Sequence, residues 1–124
     1  MRNLALVVLM IALGALLHQF LPWWAIWCAG LVVGLILPKE GAVKAFAVGI
    51  LGGALLWGGY AFWINLQNGG VMASRIGELF GGQSATTLLL LTALFGGLFG
   101  GLGTLCAYFG KMLFHRNLAA DSLK

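Results

Sequence analysis

The chain has 124 residues, 61% of them hydrophobic and only 8% charged, with a formal net charge of +4. A soluble domain of ordinary composition carries about a quarter of its residues as charges, so this chain cannot cover a water-exposed surface, and its apolar exterior must face lipid. The cations are scattered between apolar runs rather than gathered in a stripe, which sets aside a nucleic-acid partner, and the length allows one domain at most.

The N-terminus, Met1-Arg2-Asn3 followed by Leu4 to Leu17, has the form of a signal peptide, with Ala12 and Gly14 at cleavage-like spacing. Further apolar spans follow it, so we expect an uncleaved first helix. No charged residue occurs from Leu4 to Leu37. A bilayer core of about 30 Å needs roughly 20 helical residues, so this run is too long for one crossing. Its one interruption is His18-Gln19-Phe20-Leu21-Pro22. Proline suits the first turn of a helix, where its missing N–H costs nothing. The expected spans are therefore about 3–20 and 22–37, joined by a tight turn.

Pro38-Lys39-Glu40-Gly41 ends the second span. The third is expected over about 43–64, stopped by Asn65-Leu66-Gln67-Asn68-Gly69-Gly70, and the fourth over about 86–114. A polar, frayed tail is expected over 115–124. Between the third and fourth spans, Met72, Ile76, Leu79 and Phe80 fall on one helical face, with Ser74, Arg75 and Glu78 opposite. That spacing predicts a short amphipathic helix over 71–80, lying in the membrane interface. The fold class expected is all-α, a polytopic membrane protein with four transmembrane helices and one interfacial helix.

With four crossings, one side holds Arg2, Lys39, Lys44, Lys111, Arg116 and Lys124, and the other only Arg75. The excess of Lys and Arg in cytoplasmic loops puts both termini in the cytoplasm, in a bacterial cytoplasmic (inner) membrane. Trp23, Trp24 and Trp27 open the second span, and Trp57, Tyr60 and Trp63 close the third. Both ends then face outward, and all five tryptophans join one aromatic belt. Lys44 and Lys111 are expected to snorkel to lipid phosphates. Gly14-Ala15-Leu16-Leu17 recurs as Gly53-Ala54-Leu55-Leu56, but leucine, glycine and alanine so dominate the chain that such matches arise by chance.

The clearest constellation is a stripe of small residues on the fourth span: Ala93, Gly97, Gly100, Gly101, Thr104, Ala107 and Gly110. Gly96/Gly100 and Gly97/Gly101 form overlapping GxxxG pairs, matched by Gly49 and Gly53 on the third span and Gly30 and Gly34 on the second. Without side chains at such positions, two backbones approach closely and gain dispersion contacts. The stripe fits packing within one subunit, packing between subunits, or a pore lined by backbone.

No Asp or Glu falls within an expected span, which disfavours proton- or cation-coupled transport. Small multidrug-resistance transporters share the size and helix count but depend on a glutamate in their first helix, and none stands here. Fluoride channels have a similar length and glycine content, but their arginine-bearing start and phenylalanine-rich third helix are missing. No catalytic, cofactor-binding or metal-ligating set emerges, and Cys28 and Cys106 are neither clustered nor near a histidine. His18 reads as an interfacial histidine, with a proton- or anion-sensing role as the sharper alternative. Arg75, Glu78 and Phe80 are candidate partner-binding residues, with Arg75 and Glu78 placed to pair at i, i+3.

Pro22-Trp23-Trp24-Ala25-Ile26, Arg75-Ile76-Gly77-Glu78-Leu79-Phe80-Gly81 and the glycine-rich run from Thr92 to Gly103 resemble an uncharacterised family of small four-helix bacterial membrane proteins. The resemblance covers about residues 20–105. It implies a cytoplasmic-membrane location and transfers no activity or site. The leading expectation is a non-enzymatic membrane subunit that packs against itself, as a homo-oligomer, or against a larger complex in the lipid bilayer. The alternative is a small channel or transporter for an uncharged or anionic solute.

Overall fold

The computed structural model describes residues 1–37 and 41–124, and the described residues are helical throughout, without strands. Five helices follow in order: α1 (Arg2–Leu17), α2 (Ala25–Ile36), α3 (Ala42–Gln67), α4 (Val71–Leu79) and α5 (Ala85–Asp121). Pro38, Lys39 and Glu40, the expected stop of the second span, lie outside the described residues.

Local chemistry explains where the helices depart from expectation. α1 ends three residues early because its last turn tightens. Gln19 and Phe20 donate their backbone N–H groups to Leu16 and Leu17, three residues back. Pro22, Trp23 and Trp24 form a turn rather than the first turn of α2, which starts at Ala25. α3 runs three residues past its expected end, into the expected Asn65–Gly70 stop, and ends just before Gly69 and Gly70, which adopt positive φ, +64° and +77°. Amides merely weaken a helix, whereas the left-handed conformation ends one. α5 begins with Ser84 as N-cap, its hydroxyl accepting the Thr87 backbone N–H at 3.3 Å. The expected frayed tail is instead helical to Asp121, because 115–121 holds neither glycine nor proline to break it.

Glycine contacts fix the helix order. α3 and α5 run antiparallel, Gly49 opposite Gly100, Gly53 opposite Gly96, and Gly58 opposite Ala93. α2 runs parallel to α5, Gly30 beside Gly103 and Gly34 beside Ala107. α1 runs parallel to α3, Met10 against Gly52 and Leu56 against Gly14. The result is an up–down–up–down bundle with α4 between the last two long helices. The core is built from Met10, Ile26, Ala29, Val33 and Ala45, all buried.

Two helices, α3 with 26 residues and α5 with 37, are long and apolar enough to cross a membrane, with mean hydropathy 1.6 and 1.9 over their apolar 18-residue stretches. α1 and α2 are shorter apolar helices of 16 and 12 residues, about 24 and 18 Å long at the helical rise. Length alone therefore supports two crossings, not the four expected.

Candidate functional site

The densest constellation is the junction of α2, α3 and α5, where the glycines act as recesses for neighbouring backbone. A methyl group at Gly30 would lie 2.6 Å from the Gly100 carbonyl oxygen, and one at Gly34 2.6 Å from that of Thr104. At Gly49 it would lie 2.5 Å from the Gly100 oxygen, and at Gly96 2.6 Å from the Gly53 oxygen. At Gly53 it would overlap the Gly96 carbonyl. These are main-chain atoms that cannot swing aside. Gly97 is looser, its added methyl 3.1 Å from the Ile50 carbonyl oxygen and 3.3 Å from the Ala54 side chain, and Gly101 faces side chains only, the Phe46 ring at 2.6 Å and Ile50 at 3.0 Å. All eight glycines singled out from the sequence thus meet neighbours of the same chain. Gly110 does not: nothing lies within 4 Å of its absent side chain.

Two further glycines complete the junction. Gly103 presses on the Trp27 carbonyl and Gly30, and Gly52 receives the Met10 side chain, whose terminal methyl reaches Gly100. Both sat beside recognised stripe residues, but a single-face reading of each helix left them out. α5 in fact carries glycine on two faces, one toward α3 and one toward α2.

Among the described residues, Thr104 is the one buried polar side chain. Its hydroxyl bonds back to its own helix, to the carbonyls of Gly101 at 2.8 Å and Gly100 at 3.3 Å, as threonine does in apolar surroundings. The Thr104 hydroxyl is therefore spent within its own helix, and no group of His, Cys, Asp or Glu able to hold a metal occurs among the described residues. Both cysteines are free.

Lys111 departs from the expected snorkelling. Its ammonium donates to the carbonyls of Gly34 at 3.3 Å, Leu35 at 3.2 Å and Leu37. These are the orphan acceptors at the C-terminus of α2, and a cation there also meets the negative end of the helix dipole. A residue 74 to 77 positions away in sequence supplies this cap.

His18 is likewise tied to the protein. Its Nδ1–H donates to the Gly14 carbonyl at 2.7 Å, and its Nε2 accepts the Trp57 indole N–H at 3.2 Å. Trp57 in turn lies near Phe99, whose ring meets Trp23 at 5.3 Å between centroids. The α1–α2 turn is thereby pinned to α3 and α5.

Arg75, Glu78 and Phe80, the candidate partner-binding residues, are all exposed on α4 and its C-cap. The expected Arg75–Glu78 ion pair does not form; on the exposed surface Lys124 pairs with Asp121 at 3.9 Å. Comparison with known families, curated proteins and solved structures finds no match for this chain.

Proposed function

We propose that the chain is a non-enzymatic structural subunit of a bacterial cytoplasmic membrane. It packs against a second copy of itself or against a larger membrane complex. In this reading α1, α2, α3 and α5 each cross, both termini are cytoplasmic, and α4 lies in the outer interface. The supporting observation is the α2–α3–α5 junction, closed backbone to backbone, with the buried Thr104 hydroxyl bonded within its own helix. A path for a solute needs polar or backbone groups left available along it, and here glycine contacts consume that surface.

The contact register supports the short first pair as crossings. Met10 lies against Gly52 and Gly14 against Leu56, so one-for-one extension puts His18 level with Tyr60. That is about 24 Å along α3 from Lys44, near the hydrocarbon thickness of roughly 30 Å. The turn bearing Trp23 and Trp24 then falls close to Tyr60 and Trp63, as one aromatic band requires. Outward-facing Leu51, Leu55, Leu94, Leu98 and Leu102 are exposed and supply the apolar rim that lipid or a partner subunit would cover.

The test is purification of the native protein in mild detergent with mass analysis, alongside solute flux in liposomes. A fixed-stoichiometry assembly without flux is the expected result. Flux of an uncharged or anionic solute by the isolated chain would replace the subunit reading with that of a small channel.

A further inference from the structure

His18 and Trp57 join the end of α1 to α3 through a side-chain hydrogen bond whose proton positions are forced. The Gly14 carbonyl, 2.7 Å from Nδ1, can only accept, so Nδ1 carries a proton. The Trp57 indole N–H, 3.2 Å from Nε2, can only donate, so Nε2 must offer its lone pair. The two contacts together require the neutral imidazole in a single tautomer. Among the described residues, this is the only side-chain hydrogen bond from residues 18–24 to another helix.

Protonation changes one half of this arrangement. The Gly14 carbonyl accepts from Nδ1–H in either charge state, so the ring stays on α1. Nε2 becomes an N–H, and two donors then face each other with no acceptor between them. The indole ring does not compensate. The two rings stand at 81° with centroids 6.0 Å apart, and the N–H edge of Trp57 points at the imidazole. That edge is the positive side of an aromatic ring, whereas a cation is attracted over the face.

The elements packed around the ring bring no counter-charge. α1 has no charged residue after Arg2 and α2 has none. On α3 the one charged residue is Lys44, about 20 Å along the helix from Trp57, and α5 has none before Lys111. Tyr60 on α3 and Cys28 on α2 lie toward the same end, and neither bonds the imidazole. Arg75 and Glu78 belong to α4, which packs on α3 and α5 but not on α1. Trp57 is also unable to follow a departing ring. A methyl at Gly96 would lie 2.6 Å from the Trp57 Cβ, so α5 holds the stem of the indole. The turn after α1 is the lighter side: Gln19 and Phe20 are exposed, and Trp23 against Phe99 is its other ring contact.

We propose that the His18–Trp57 pair is an acid-sensitive latch: on acidification His18 takes a proton at Nε2, gives up the indole N–H and releases the α1–α2 turn from α3. Histidine is the side chain that ordinarily changes charge between about pH 5 and 8, and His18 is half-buried beside exposed Gln19, within reach of solvent protons. In the four-crossing reading the proton comes from the outer side, but the latch itself needs only the contacts within the bundle.

The experiment is an NMR titration of the full chain in mild detergent, with nitrogen-15 in tryptophan and histidine, from about pH 8 to about pH 5. Trp57→Phe identifies the Trp57 indole signal. In the native chain that signal should begin at the low-field position of a bonded N–H and move upfield with the same midpoint as the His18 ring nitrogens. Amide exchange over residues 18–24, corrected for its intrinsic pH dependence, should quicken about fivefold, the value of one hydrogen bond near 1 kcal/mol. His18→Gln keeps an acceptor that does not titrate, so its indole signal should hold still. His115→Gln, on the exposed end of α5, should leave the titration as it is. An indole signal unmoved at the acid end in the native chain, or one that moves equally in His18→Gln, would overturn the latch. The native titration decides by itself if His18→Gln does not fold. Because the readout is taken in micelles, its failure leaves the membrane crossings as they stand.

Discussion

Gly53→Ala tests the backbone junction at its closest point. The added methyl would overlap the Gly96 carbonyl oxygen, sit 2.7 Å from its carbon and 3.2 Å from the Gly97 Cα. Neither main chain can rotate away, so α3 and α5 must part by about 1 Å, a gap that forfeits a quarter to a half of each dispersion contact. Over about 20 atom pairs of 0.1–0.2 kcal/mol that is roughly 1 kcal/mol, and residual overlap raises the cost into the range of about 1–3 kcal/mol usual for overpacking. Alanine returns about 0.5–1 kcal/mol through its better helix propensity, leaving a net loss of about 1–2 kcal/mol. Gly59→Ala and Gly110→Ala are the internal controls. Each is a helical glycine with nothing within 4 Å, so the propensity gain should stand alone and the melting point should hold or rise. The assay is a thermal melt of the three variants in one detergent, followed by size exclusion. If Gly53→Ala melts level with Gly110→Ala, the close approach of α3 and α5 is not a source of stability.

Three further outcomes follow from named contacts. Gly101→Leu, driven into the Phe46 ring, should lower the melting point by the equivalent of about 1–3 kcal/mol, whereas Leu98→Ile on the exposed side of α5 should be silent; equal melting points would contradict the placement of the two faces. Lys111→Met should cost about 1–2 kcal/mol by leaving the α2 carbonyls uncapped, and amide hydrogen exchange should quicken in the last turn of α2 before anywhere else; uniform quickening would argue against a local cap. Nitrogen NMR of His18 should find the proton on Nδ1, and Trp57→Phe should destabilise the α1–α2 turn by about 1 kcal/mol; a proton on Nε2 would mean that the indole is not its partner.

Periodicity and glycine spacing made much of this architecture readable. The amphipathic pattern of 71–80 located α4 to within a residue, and the Gly96–Gly101 cluster marked the main packing face of α5. The turn at 18–24 was readable as a break but not in its extent, because a tightened last turn and a proline turn leave no composition signal distinct from an ordinary helix end. The helical tail also escaped, since polar side chains say little about whether backbone bonding continues. Contacts between distant residues were beyond reach: the Lys111 cap, the His18–Trp57 pair and Met10 in the Gly52 recess depend on the register between helices, which sequence spacing on one helix does not encode.

Membrane topology is the most direct test of the whole reading. In a background with Cys28→Ser and Cys106→Ser, single cysteines replace Asn68, at the end of α3, or Ser122, beyond α5. Intact cells are then treated with a membrane-impermeant maleimide. Crossing by α3 and α5 with cytoplasmic termini predicts labelling at position 68 in intact cells, and labelling at 122 only after permeabilisation. Labelling of both positions, or of neither, in intact cells would place the ends of the two long helices on one side and contradict the bundle as a membrane-spanning protein.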